Sequence, residues 1–157
     1  MFKLKNRYLS GLVQWLALQQ LNGKESRERT RFINVCQERL KEISGFYQGL
    51  MEKYIKKGKD GKYETRINES GEQVFKFRTK KEEDEYVKEI TDLNEEEFKL
   101  ELTEINKEML GIIKKIVLET DYKFGPKEND SLNNKVRDMR IAAEYNEWAE
   151  SLEALDR

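Results

Sequence analysis

At 157 residues the chain is sized for one domain, and a globule of this length buries roughly 70% of the surface that its unfolded form exposes. Charged residues make up 39% of it and hydrophobic ones 37%, so the core is thin and long polar faces stay in water, which suits extended helices better than a compact ball. The 30 basic and 31 acidic residues give no global attraction to nucleic acid or to an anionic membrane. The absence of histidine removes the commonest general base and zinc ligand.

The first predicted element is a helix from about Leu4 to Leu21, on which Leu9, Leu12, Val13 and Leu16 recur with helical period and Trp15 and Leu18 widen the stripe. Lys3, Lys5 and Arg7 ahead of this run imitate a signal peptide. Gln14, Gln19 and Gln20 interrupt it, however, and no stretch is long enough to span a bilayer. Gly23 is expected to close this helix and Ser26 to cap the next.

The second helix is expected from about Arg27 to Lys57, roughly 45 Å at 1.5 Å per residue, antiparallel to the first. Ile33, Cys36, Leu40, Ile43, Tyr47, Leu50 and Tyr54 step along it by threes and fours, the heptad spacing of a rod that needs a helical partner. Gly45 and Gly49 interrupt the rod and mark a close crossing, a bend or a tolerated defect. Cys36, the only cysteine, sits at a core position, so a buried thiol in a reducing cytoplasm is expected.

Beyond Gly58 and Gly61 the period changes. Tyr63 to Ile67 and Gln73 to Phe77 read as a β-hairpin around Asn68–Gly71, which must lean on a helix or recruit a third strand to be stable. A charged helix follows from about Lys80 to Leu93 with Tyr86, Ile90 and Leu93 as its apolar edge, and then an alternating strand through Phe98, Leu100 and Leu102. This break is favoured over one continuous helix across 80–120. Thr103 caps a helix through Thr120 whose Ile105, Met109, Ile112, Ile113, Ile116 and Val117 are expected at the centre of the core. Gly125 and Pro126 open a loop. Asp130 or Ser131 caps a last helix with Ile141, Tyr145, Trp148, Leu152 and Leu155 at heptad spacing. The predicted architecture is a single mainly α domain with a small β element (α+β). It comprises a helical hairpin over 1–57, a hairpin, short helix and third strand over 58–102, and two helices over 103–157.

No constellation for catalysis emerges. Ser-x-x-Lys, Walker-type and Gly-x-Gly-x-x-Gly patterns are all missing from the chain, and no enzyme, cofactor or metal is expected. The runs Glu82–Glu85 and Glu95–Glu97 lack the spacing of a calcium loop and read as solvated faces, with an acidic docking surface as the alternative. Arg27, Arg29 and Arg31, at the start of the second helix where the dipole helps, are the candidate anion site, weighed against surface pairing with Glu25 and Glu28. Tyr47, Tyr54, Phe75, Phe77 and Trp148 are the candidate partner-binding residues, with core packing as their default role. Single-strand nucleic-acid binding wants cations interleaved with aromatics; Lys76 and Arg78 supply little of that between acidic segments.

The order of elements resembles a family of small proteins from tailed phages of Gram-positive bacteria. The likeness rests on Glu25, Ser26, Arg27, Arg29 and Phe32, on the Leu50 to Tyr54 segment, on Asp60-Gly61, and on the hairpin through Glu96, Glu97, Phe98 and Leu100. It covers about two-thirds of the chain and leaves out the last helix. The family carries no established chemistry, so the resemblance implies a phage origin and a place in the cytoplasm of an infected bacterium. The expected function is a non-enzymatic interaction protein that binds a host or phage protein, for instance as an inhibitor of a host or defence factor, or as a virion assembly accessory. The alternative is a sponge for a small anionic nucleotide signal. The heptads of the second and last helices satisfy each other within one chain or pair across a two-fold axis, and of the two a homodimer is the favoured expectation.

Overall fold

The computed structural model describes residues 1–119 and 131–156. Its elements are β1 (Phe2–Lys5), α1 (Asn6–Ala17), α2 (Gly23–Tyr54), β2 (Thr65–Ile67), β3 (Gln73–Phe75), α3 (Lys80–Glu95), β4 (Glu97–Leu100), α4 (Glu104–Glu119) and α5 (Leu132–Glu153), followed by a 3-10 turn at Ala154–Asp156. The fold is mainly α with two small antiparallel sheets of two strands each. Two compact units divide the chain, Met1–Leu40 together with Glu96–Arg157, and Lys41–Glu95.

In the first unit the chain opens on a strand, not on a helix. Phe2 and Leu4 are buried and Lys3 and Lys5 exposed, the alternation of a half-buried strand. β4 answers it with Phe98 opposite Leu4 and Leu100 opposite Phe2. The predicted third strand thus exists over Glu97–Leu100, but its partner is the N-terminal segment, not the hairpin. The amide of Asn6 donates to the Glu96 carbonyl at 2.8 Å, the last ladder bond before the chain turns into α1.

Helix α1 ends at Ala17, earlier than Leu21. Leu18 remains in the right-handed helical region, and the amides of Leu18 and Gln19 donate to the carbonyls of Trp15 and Leu16 at 3.1 and 3.2 Å. Gly23 does adopt a left-handed φ of 56°, but it opens α2 instead of closing α1. Ser26 is therefore inside α2, and no cap is needed there.

Leu9, Leu12, Trp15 and Leu16 of α1 meet Phe32 and Cys36 of α2, Met109, Leu110, Ile113 and Val117 of α4, and Ile141, Trp148 and Leu152 of α5 in one buried cluster. The α4 stripe is the predicted core centre with one exchange: Leu110 is fully buried and Ile105 is 72% exposed. Thr103 caps α4, its hydroxyl accepting from the Asn106 amide at 3.1 Å. Ser131 caps α5, accepting from the Asn134 amide at 3.3 Å. Asp130, the Gly125–Pro126 loop and the end of the α4 helix at Thr120 fall outside the described residues.

Helices α1 and α5 run side by side and antiparallel, as the bonds Trp148 Nε1 to the Tyr8 carbonyl (3.1 Å), Ser151 Oγ to the Lys3 carbonyl (2.6 Å) and Arg140 to the Gln14 amide oxygen (2.7 Å) define. The close helical neighbour of α1 is thus α5 where α2 was expected. Gly11 permits the crossing: a Cβ there would lie 3.2 Å from the Trp148 ring and would overlap the Glu144 carboxylate. Burial of that carboxylate raises the Glu144 pKa, against the opposing pull of Arg140 and Arg7. A carboxyl whose folded pKa is raised stabilises the fold fully below its unfolded value of about 4.3 and loses that contribution as pH climbs through the folded value. Glu144→Gln is therefore expected to raise the melting temperature at pH 7, with the gain over wild type closing as the pH is lowered below about 4; melts at matched pH values check it.

In the second unit the end of α2 carries the hairpin. Lys56 donates its amide to the Lys76 carbonyl (3.0 Å) and accepts from the Glu64 amide (2.8 Å), so the residues leaving α2 bridge both hairpin strands at Phe77 and Tyr63. This is the third-strand support the hairpin needs. Its tip is a side-chain-closed turn: Asn68 Oδ1 accepts from the amides of Ser70 (3.0 Å) and Glu72 (2.9 Å), and Gly71 takes φ 79°. Helix α3 is capped by Thr79, whose hydroxyl accepts from the Glu82 amide at 3.2 Å. The break after α3 excludes the continuous helix across 80–120.

Candidate functional site

The three arginines at the start of α2 do not converge. The Arg29 guanidinium donates to the carbonyls of Leu16 (3.3 Å) and Gln19 and to Ser26 Oγ (3.4 Å), which adds donors to carbonyls at and just beyond the end of α1 and opposes the negative pole of its dipole. Arg31 donates to the Ile105 carbonyl (3.1 Å) and pairs with Glu28 (3.3 Å). Arg27 is exposed. Two of the three guanidinium groups thus join helix ends within the first unit, and no cationic cradle results.

The five candidate partner-binding residues separate into two sets. Trp148 is fully buried and Tyr54 is 5% exposed; both pack the interior and neither can form a contact surface in this fold. Trp148 lies 6.0 Å from Trp15 and 6.3 Å, edge-on, from Tyr145. The Tyr54 ring stands edge-on to Tyr86 at 6.2 Å, and its hydroxyl, hydrogen-bonded to Glu89, has its pKa raised. Tyr47 is half-buried and donates to Asn94 Oδ1. Phe75 and Phe77 are the two that line a groove.

They line a groove of about 410 Å³ between the hairpin and α3, wholly inside the second unit, with Val74, Tyr86 and Val87 as further apolar wall and Arg66, Asn68, Gln73 and Glu83 as its polar rim. The wall is built from rings in contact. Phe77 meets Tyr86 at 5.2 Å with the rings tilted by 50°, and Phe75 meets Tyr63 edge-on at 6.1 Å. Burial holds the Tyr86 hydroxyl above its usual pKa.

The hairpin is fixed to the helix end by Glu52, whose carboxylate accepts from Lys57 Nζ (2.7 and 2.8 Å) and from the Tyr63 hydroxyl (2.7 Å). The Lys57 bond, then the Tyr63 bond, lower the Glu52 pKa. Phe75, Val87 and Ile67 keep 37%, 55% and 65% of their surface in water. Sequence reasoning passed over Val87, which lies one position off the apolar edge of Tyr86, Ile90 and Leu93. Arg66 and Tyr86 had a signal only as a strand cation and a helix-edge aromatic.

The acidic runs spend their charge locally. Glu82 pairs with Arg78 at 3.0 Å, Asp84 with Lys80 at 3.2 Å and Glu96 with Arg39 at 3.4 Å. Among the described residues no group of three or more acidic, cysteine or histidine side chains is arranged to hold a metal ion, and no helix is long and apolar enough to cross a membrane. Burial pushes the Cys36 thiol far above its usual pKa, which leaves it protonated and unreactive. No family model matches the chain, and neither does any curated protein or solved structure.

Proposed function

We propose that the protein is a non-enzymatic interaction protein whose hairpin–α3 groove receives an apolar segment of another protein. The carrying observation is the groove itself: a concave aromatic wall of Phe75, Phe77 and Tyr86 beside apolar side chains left in water. An aromatic wall inside a rim of Arg66, Asn68, Gln73 and Glu83 takes a bulky aliphatic or aromatic anchor flanked by polar groups, and buried anchors carry most of the energy of protein interfaces. Anionic-signal capture finds less support, because Arg29 and Arg31 are engaged with helix ends.

The likeness to small proteins of tailed phages supports a setting in an infected bacterium, where a protein of this kind acts by covering a surface of a host or defence factor. Affinity capture from expressing cells, run in parallel with wild type, Phe75→Ser and Val87→Glu, tests the groove. One protein is expected to be retained by wild type and lost at least about tenfold in both variants, while their melting temperatures stay within a few degrees of wild type. Retention of the same protein by all three overturns the assignment of the groove, and a catalytic turnover that persists through purification overturns the non-enzymatic reading.

A further inference from the structure

A separate apolar face lies in the first unit, on the N-terminal half of α5. Leu132, Val136 and Met139 are 75%, 59% and 60% exposed, and Ala143 is exposed beyond them. Their spacing of four, three and four keeps all four on one side of the helix, and at about 100° per residue that side is opposite Ile141, Trp148 and Leu152, which face the core. Helix α5 therefore carries two apolar faces, and the intramolecular core covers one.

Charge identifies what fits the other. Lys135 and Arg140 flank the stripe. Asp138 turns off it toward Arg137 at 3.6 Å, and the Glu144 carboxylate lies against Gly11. From Leu132 to Ala143 the outer face is thus apolar with a cationic border. The next acids on it, Glu147, Glu150 and Glu153, are exposed and belong to the following turns.

This polarity disfavours two occupants. In an antiparallel pair of two copies, matching stripe on stripe brings the Lys135 flank of one against the Lys135 flank of the other and the Arg140 flank against the Arg140 flank, so like charges meet on both sides of the seam. An anionic membrane is attracted by the first turns but repelled by Glu147, Glu150 and Glu153 on the same face. A helix with its own apolar stripe and acidic borders covers the apolar side chains and meets the charges of Lys135 and of Arg140, whose bond to the Gln14 amide oxygen leaves its charge unneutralised. We propose that the Leu132–Ala143 face of α5 docks an acidic amphipathic helix of a partner protein. The proposal is independent of the hairpin–α3 groove.

The test uses the full chain and two synthetic helical peptides about four turns long, each with leucines at heptad spacing, one bordered by glutamate and the other by lysine. Fluorescence anisotropy at low salt is expected to show micromolar binding of the glutamate peptide, at least about tenfold tighter than of the lysine peptide. Val136→Asp is expected to remove it without moving the melting temperature, since the side chain is exposed. Lys135→Glu with Arg140→Glu is expected to reverse the preference. Equal binding of the two peptides, or no binding of the glutamate peptide at about millimolar concentration, overturns the proposal. So does a sedimenting dimer that Val136→Asp dissolves, which would assign the face to a second copy, or binding to phosphatidylserine vesicles that the same variant abolishes.

Discussion

Replacing Trp148 with alanine is expected to cost about 3–5 kcal/mol of stability, the range for truncating a fully buried aromatic, and to lower the melting temperature by roughly 10 °C for a chain of this size. The indole is at zero exposure, packs on Trp15 and Tyr145, and donates its Nε1 hydrogen to the Tyr8 carbonyl. It therefore joins α1 and α5 by both area and a hydrogen bond. Trp148→Phe keeps most of the apolar volume and loses the bond, so a smaller loss of about 1–3 kcal/mol is expected. The chain has two tryptophans, Trp15 and Trp148, and both lie in the first unit. Selectively excited tryptophan fluorescence therefore follows that unit alone, and a melt of Trp148→Ala through Trp15 reads the effect directly. A melting temperature within two degrees of wild type would mean that Trp148 is not a core residue.

Heptad spacing made Trp148 conspicuous but not its role. The pattern of Ile141, Tyr145, Trp148, Leu152 and Leu155 states that one face of α5 needs cover, and it is indifferent to whether the cover comes from the same chain. Here α1 and α4 supply it. Tyr54 was ambiguous for the same reason. Phe75 and Phe77 were recognisable through β-propensity, yet their exposure depends on where α3 sits, which no local pattern encodes. The caps at Thr103 and Ser131, the hairpin with its Asn68–Gly71 turn, and the break between α3 and β4 were all legible, because each rests on chemistry within a few residues. Arg29 was not: its bonds to Leu16 and Gln19 reach back over the turn between two helices, and only the path of that turn makes them available.

The segment Phe2–Lys5 was the largest omission in the first unit, and Phe2→Ala measures its weight. Phe2 is fully buried, edge-on to Phe32 at 5.7 Å and to Phe98 at 6.5 Å, so three elements share its ring. A loss of about 3–5 kcal/mol is expected, with Phe2→Leu costing about 1 kcal/mol if the site repacks. Four residues of alternation are too short to outweigh the helical stripe that follows, and the partner strand lies more than ninety positions away in register with Leu100. Lys3 provides the contrast. It is exposed directly across from Lys99, and opposed like charges on a sheet are mildly unfavourable, so Lys3→Ala is expected to leave the melting temperature unchanged or slightly higher. A helix beginning at Leu4 gives the opposite ranking, with Phe2 an unpacked flank whose truncation costs nothing. Urea titrations of Phe2→Ala and Lys3→Ala side by side therefore discriminate strand from helix at the start of the chain. A midpoint shift confined to Phe2→Ala identifies the short β1–β4 ladder as a stabilising part of the core.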